Sequence, residues 1–405
     1  MDNIIQKFYV GNNEYTYVSN TGDILKNDDM WDKNESSDFS EVETRRKMVI
    51  SKEQWLNSEV LQSLWLSISH MCNMVCEYCY ADAGQYGSIE ALMDFETAKN
   101  SIDFFFKYLK KDSKKIKVNF FGGEPLLNKE VFLQCVDYIN YKANEIKKDV
   151  RYIITTNGTL IDNDILNIFE SNHFLVNLSL DGNIEAHNCS RYFKNGQGTF
   201  EVIWGKLNML MSNNVEVIVR MTLTKKNIKF FRDSVIEIWN KGVELVYFAM
   251  VQSEDKCLQI ENQDLIKFEK DLEELTKIEN QRNKQGLKGT LGNIMEYEHR
   301  IANRVILKEC RFYSSFTITF TPNGDIYTCN RVIGDDQYVA GNVIKGIDWN
   351  KLKRDYECPE ICRKCWAKHI CAGGCPISRT DLNCEFNKIL INVAMKDYIE
   401  LKERG

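Results

Sequence analysis

The chain has 405 residues, 43% hydrophobic and 27% charged, with a formal net charge of −6; this is a globular composition, long enough for two or three domains. No basic patch stands out, which argues against nucleic acid as a partner, and no apolar run approaches the roughly 18 residues that span a bilayer, so no membrane is expected either. Met1-Asp2-Asn3-Ile4-Ile5-Gln6-Lys7 lacks the layout of a signal peptide, so the expected location is cytoplasmic, where thiols stay reduced and 14 cysteines point to metal.

Residues 1–60 read as a small α+β module. Phe8-Tyr9-Val10, Tyr15-Thr16-Tyr17-Val18 and Asp23-Ile24-Leu25 are expected strands, with Gly11-Asn12-Asn13 and Asn20-Thr21-Gly22 as turns. A polar loop follows from Asn27 to Phe39. Two short helical patterns then run from Ser40 to Leu61, the second capped by Ser51. From residue 61 to 285 strands and helices alternate. The strands are Leu64–Ser69, Ile116–Phe121, Tyr152–Thr156, Leu175–Leu180, Val215–Thr224 and Glu244–Met250, each apolar as buried parallel strands are. Helical patterns cover Phe95–Leu109, Lys129–Ile146, Asp162–Asn172, Phe200–Ser212, Ile228–Lys241 and Gln263–Gln285. Six βα units predict an α/β fold with an open, partial (β/α)6 barrel of the TIM type, whose chemistry sits at the C-terminal strand ends. Residues 286–309 bridge to a cysteine-rich region, 310–405. There Phe316–Phe320 and Asp325–Thr328 predict a hairpin around Thr321-Pro322-Asn323-Gly324, and a last helix covers Phe386–Leu401.

The predicted strand ends carry the polar residues. Cys72-Asn73-Met74-Val75-Cys76-Glu77-Tyr78-Cys79 follows the first strand and holds three thiols at C-x3-C-x2-C. Three ligands are one short of those that fill a zinc site or cap a [4Fe–4S] cluster, so one iron stays open to a small molecule. Gly122-Gly123-Glu124-Pro125 follows strand two, Thr156-Asn157-Gly158 strand three, Ser179-Leu180-Asp181-Gly182 strand four. Thr222 and Thr224 end strand five, and Gln252 follows strand six. One such turn is ordinary loop chemistry; four in series on one rim with a tri-cysteine loop indicate a single site. Cys135 reads as a small core residue, His70 as a hydrogen-bonded spacer, and Cys189 and Cys257 as bystanders.

The C-x3-C-x2-C loop with Gly-Gly-Glu-Pro one βα unit later resembles the radical S-adenosylmethionine (SAM) enzymes. The later cysteines resemble that superfamily's SPASM extension: Cys310, Gly324 and Cys329, then Cys362, Cys365, Cys371 and Cys375, then Cys384. The resemblance covers roughly residues 62–390. It implies that Cys72, Cys76 and Cys79 hold a [4Fe–4S] cluster whose open iron takes the methionine moiety of SAM, and that reductive cleavage gives a 5′-deoxyadenosyl radical. It further implies that Gly122, Gly123 and Glu124 hold the SAM ammonium, and that Asn157, Ser179 and Asp181 line the ribose and carboxylate side. Leu223 and the Tyr78 backbone become adenine contacts. Arg191 meets the SAM carboxylate or serves as a surface ion-pair partner. No catalytic side chain is assigned. Two auxiliary clusters follow by resemblance, three [4Fe–4S] clusters in all. Cys362, Cys365, Cys371 and Cys384 hold one; Cys310, Cys329 and Cys375 hold the other. Cys358 either completes that second set or leaves an iron free for a substrate thiolate. Zinc is the alternative for this region.

SPASM enzymes modify peptides and proteins. In the sulfatase-maturating branch an Asp base follows the cysteine of the G-x4-C element; here that residue is Asn330. Around His70–Gly87 and Phe120–Leu127 the chain resembles thioether-forming (SCIFF/ranthipeptide-type) peptide maturases. The expected partners are a precursor peptide, whose leader segment adds as a strand to the N-terminal module, and a reductant such as flavodoxin or ferredoxin.

Overall fold

The computed structural model describes residues 4–27, 61–87, 90–111, 113, 115–304, 310, 312, 317–352 and 358–404. The loop and helical patterns expected over 28–60 lie outside these residues.

An antiparallel sheet opens the chain: β1 (Ile5–Val10), β2 (Asn13–Val18) and β3 (Asp23–Lys26), in that order. Strand β1 alternates as a half-buried strand does, with Phe8 and Val10 inward and Ile5 and Tyr9 outward. The sheet leans on the end of the chain. The Tyr15 hydroxyl donates to Glu403 of the C-terminal helix Asp381–Arg404, and the Tyr17 ring meets Trp366 edge-on at 6.2 Å.

The parallel core follows as expected: β4 (Ser63–Ser69), β6 (Lys115–Gly122), β7 (Asp149–Thr156), β8 (Leu175–Ser179), β10 (Glu216–Leu223) and β11 (Leu245–Met250). They hydrogen-bond in the order β11-β10-β8-β7-β6-β4, each pair parallel. The first and last do not pair, so the barrel is open and partial. The inward positions Leu64, Leu66, Val118, Phe120, Ile154, Val176 and Val219 are all fully buried, which is why these strands read as apolar runs. The crossover helices start where the sequence provides caps: Asp94 accepts from Thr97 N–H and Asp162 from Ile165 N–H.

Two features extend this core. Short strand β12 (Thr290–Leu291) adds in parallel to β11, and the helix Gly292–Ala302 follows it, so the bridging segment has structure of its own. At the other edge, β13 (Thr317–Phe320) pairs in parallel with β4, then turns into β14 (Asp325–Tyr327), β15 (Gly341–Asn342) and β16 (Gly346–Ile347). The cysteine-rich region thus continues the barrel sheet, giving eleven strands in one sheet. The hairpin β13–β14 falls where the sequence puts it.

Candidate functional site

The tri-cysteine loop is held by a ribbon the sequence did not reveal. Strand β5 (Met74–Cys76) pairs antiparallel with β9 (Arg191–Phe193), setting Cys76 opposite Arg191. Cys72 and Cys76 each lie in the electrostatic field of Cys79, so the three thiols form one group. Burial pushes the Cys72 thiol up to about 11 and Cys76 up to about 12. Such thiols ionise only beside strong positive charge, which an iron–sulfur core supplies. Among the described residues no three His, Cys, Asp or Glu side chains converge as one metal ion requires.

The Gly122-Gly123 turn packs onto the entry of this loop. Gly123 N–H donates to Ser69 O and Glu124 N–H to Met71 O, both at 2.8 Å. A Cβ on Gly122 would stand 2.2 Å from Ser69 O, and one on Gly123 2.3 Å from Met71 O. Only glycine allows so close an approach. The Glu124 carboxylate is fully buried and accepts from Thr156 Oγ1 at 2.7 Å, Asn157 N–H at 2.7 Å and Leu126 N–H at 3.0 Å. Burial raises it to about 7. It therefore braces the ends of β6 and β7 against each other.

Asn157 reaches the thiols themselves. Its Nδ2 donates to Asn73 Oδ1 at 2.9 Å and lies 3.8 Å from Cys72 Sγ. Ser179 ends β8 on the same rim. Asp181, also buried, accepts from Thr222 N–H at 2.9 Å and from the Tyr78 hydroxyl. Arg191 Nη1 donates to that hydroxyl at 2.8 Å and stands 3.9 Å from Asp181 Oδ1. Arg191 is thus no surface ion-pair residue; it is 6% exposed at the centre of the site. Its Nε is buried without a partner, an orphaned charged donor that costs free energy unless a ligand accepts from it. A carboxylate such as that of SAM fits. Tyr78 contributes its hydroxyl, a role the sequence reading did not give it. Leu223 is 1% exposed and packs within the core. The His70 backbone N–H donates to Ala91 O at 2.7 Å, while ring Nε2 is buried without a partner and burial lowers the ring to about 4. Cys135 is buried in its helix as expected.

The later cysteines form two neighbourhoods. Cys310 and Cys329 pack, together with Cys79, against one satellite core of Ala81, Tyr86, Phe312, Tyr327, Val332 and Ile333. The second auxiliary neighbourhood gathers Cys362, Cys365, Cys371 and Cys384, which act on one another electrostatically. These four and Cys375 face a cavity of about 360 Å³. Cys358 acts on Cys362, so it lies beside the set of Cys362, Cys365, Cys371 and Cys384.

The open barrel, the thiol group at its C-terminal rim and the buried anion receptor behind it define an enzyme that generates a radical at an iron–sulfur centre. The chain belongs to the radical SAM superfamily, whose model matches residues 66–235. A protein of Methanocaldococcus jannaschii that carries only the name uncharacterized is 31% identical over 294 residues, 72% of this chain and 91% of the relative. The cysteine-type anaerobic sulfatase-maturating enzyme of Clostridium perfringens (strain 13 / Type A) is 25% identical over 343 residues, 78% of this chain and 90% of that enzyme. Two solved structures share the fold. Native anSMEcpe with bound AdoMet and the Cp18Cys peptide has a TM-score of 0.71 at 20% identity, over 85% of this chain and 99% of that one. Streptococcus suis SuiB bound to the precursor peptide SuiA has a TM-score of 0.53 at 14% identity, over 78% and 72%. SAM and [4Fe–4S] chemistry come with the superfamily. No described helix is long and apolar enough to cross a membrane.

Proposed function

We propose that this radical SAM enzyme is a peptide maturase that installs sulfur-to-carbon thioether crosslinks in a ribosomally made precursor peptide. A peptide substrate is supported by the likeness to anSMEcpe, solved with a peptide, and to SuiB, solved with its precursor. The observation that carries the outcome is Asn330. Its Nδ2 donates to the Tyr80 hydroxyl at 2.8 Å. An amide cannot take a proton as the Asp base of the sulfatase-maturating branch does.

Three clusters are proposed. Cys72, Cys76 and Cys79 hold the one that binds SAM; Cys362, Cys365, Cys371 and Cys384 hold one auxiliary cluster. Cys310, Cys329 and Cys375 hold the other, one thiolate short. That Cys358 neighbours Cys362 supports leaving this position to a cysteine of the substrate. In the N-terminal sheet Ile5, Tyr9 and Leu25 share one face and are 48%, 61% and 41% exposed. That apolar surface supports docking of a leader segment beside an edge strand. The reading includes an external reductant of the flavodoxin or ferredoxin kind and a cytoplasmic location.

A second reading has a specific support: the sulfatase-maturating enzyme aligns with 78% of the chain. Mass spectrometry after anaerobic reaction separates the two. A thioether removes two hydrogens and one alkylatable thiol, with the sulfur retained. Formylglycine formation loses the sulfur and gains an aldehyde. Carbon–carbon crosslinking loses two hydrogens and leaves the alkylation count unchanged, an outcome that rejects the thioether.

A further inference from the structure

We propose that Arg331 is the receptor for a carboxylate of the substrate peptide, placed between the loop of the SAM-binding cluster and the first auxiliary loop. The inference rests on the enzyme acting on a peptide, whose anionic groups are Asp and Glu side chains and the C-terminus.

The position of Arg331 is set by both loops. Cys329 caps the short 3-10 turn Asn330–Val332, its Sγ accepting from Arg331 N–H at 3.5 Å. The guanidinium lies over the Tyr80 ring, 5.1 Å from its centroid, and Nη1 donates to Gln252 Oε1 just beyond β11. Asn330, one residue earlier, bonds the Tyr80 hydroxyl. Tyr80 directly follows Cys79 and is 45% exposed. A partly buried guanidinium is therefore held by a neutral amide and an aromatic face. Among the described residues it makes no ion pair. A guanidinium fixed in this way, with donors unspent, is preorganised for bidentate carboxylate binding.

The wall around it has the matching charge. Among the described residues, the cavity that Arg331 and Gln252 line with the cysteine set includes the cations Arg300, Lys368, Arg379 and Lys388 and no Asp or Glu. Arg300 pairs with Glu296 and Lys388 with Glu385. Arg379 acts on Cys362 and Cys384, at the cluster end. Arg331 is the cation of this lining that bonds Gln252, just beyond β11. A carboxylate there lies within reach of the residue being modified, so the precursor should carry an acidic residue close to its reacting cysteine.

The test is direct binding to the anaerobic holoenzyme without SAM or reductant. The probes are two fluorescein-labelled degenerate peptide pools with one fixed cysteine, alike except that flanking positions carry Asp and Glu in one and Asn and Gln in the other. The chain's net charge of −6 gives the acidic pool no general advantage. The acidic pool should bind about tenfold tighter, with the difference shrinking in high salt. Arg331→Gln, at unchanged iron content, should abolish the difference, and Arg331→Lys should keep part of it. Equal affinity of the two pools for the native protein overturns the assignment. So does a preference that survives in Arg331→Gln. Should Arg331→Gln lose iron, Arg331→Lys and the native pool comparison still decide. The peptide-maturase reading fails separately, by peptide-independent 5′-deoxyadenosine with no modified product.

Discussion

Arg191 stands opposite Cys76 in the β5–β9 ribbon, and its guanidinium bonds the Tyr78 hydroxyl at 2.8 Å. The loop that positions three cluster thiols and the strand that presents a buried cation are thus one structural unit. The side chain with the orphaned buried Nε–H stands in the strand that pairs with the cluster loop.

Replacing Arg191 should therefore act on SAM more than on iron. Arg191→Lys keeps the charge beside Asp181 but loses the planar donor set and the orphaned Nε–H. SAM affinity should fall about tenfold or more, with iron content unchanged. Arg191→Gln leaves Asp181 buried without its cation, at a cost of about 3 kcal/mol, and should also lower the melting temperature. Equilibrium SAM binding and iron analysis separate the two effects.

Gly123→Ala puts a methyl group 2.3 Å from the Met71 carbonyl. Neither partner is a flexible side-chain end, so the turn must move away from the cluster loop. Stability should drop by about 2 kcal/mol, and 5′-deoxyadenosine formation should fall at least tenfold. Gly11→Ala is the control: no atom lies within 4 Å of the new methyl, so only the cost of its φ of +58° remains, and SAM cleavage should be unchanged.

The parallel strands were legible because burial on both faces writes them as continuous apolar runs, and Leu64–Ser69 differs from the observed β4 by a single residue. The rim was legible because glycine or asparagine turns follow β6, β7 and β8 in series. Strands β5 and β9 were not, since three residues carry no period, and so Arg191 stayed ambiguous. The pairing of β13 with β4 was also hidden: a strand's sequence does not say which distant edge it joins. Glu124 has a bracing part that its residue type did not announce, with three donors from two loops converging on its carboxylate. The side on which Cys358 falls depends on loop geometry that spacing does not encode.

Arg379 should set the redox balance of the second auxiliary group. Burial raises the Cys362 and Cys384 thiols and the Arg379 charge opposes that rise; the same field favours the more negative, reduced cluster. Its Nε also donates to Gly373 O at 2.7 Å. Arg379→Gln should lower the midpoint potential of one cluster by roughly 50 mV, read by electron paramagnetic resonance during redox titration, while Arg379→Lys restores most of it. A midpoint that is the same in all three proteins would show that the charge does not reach the cluster.

Burial also makes a pH prediction far from the rim. Glu279, Glu298 and Asp397 meet where the helices Asn262–Lys284, Gly292–Ala302 and Asp381–Arg404 pack. Burial and then Asp397 push Glu298 up to about 9, and burial pushes Glu279 up to about 7. Asn280 Nδ2 donates to Asp397 at 2.7 Å, and Leu291 N–H to Glu279 at 3.0 Å, but no cation among their named partners offsets the three carboxyls. Both glutamates are raised in the folded state, so the fold binds more protons than the unfolded chain once pH exceeds the ordinary carboxyl value near 4.5. Stability contributed by this cluster is complete below that value and is lost progressively as pH rises through about 7 and then about 9. Glu298→Gln removes the later loss while keeping the side chain's shape. Its melting temperature should match the native protein near pH 5 and exceed it by several degrees near pH 9. Parallel melting curves across that range would mean that Glu298 is already charged in the folded protein.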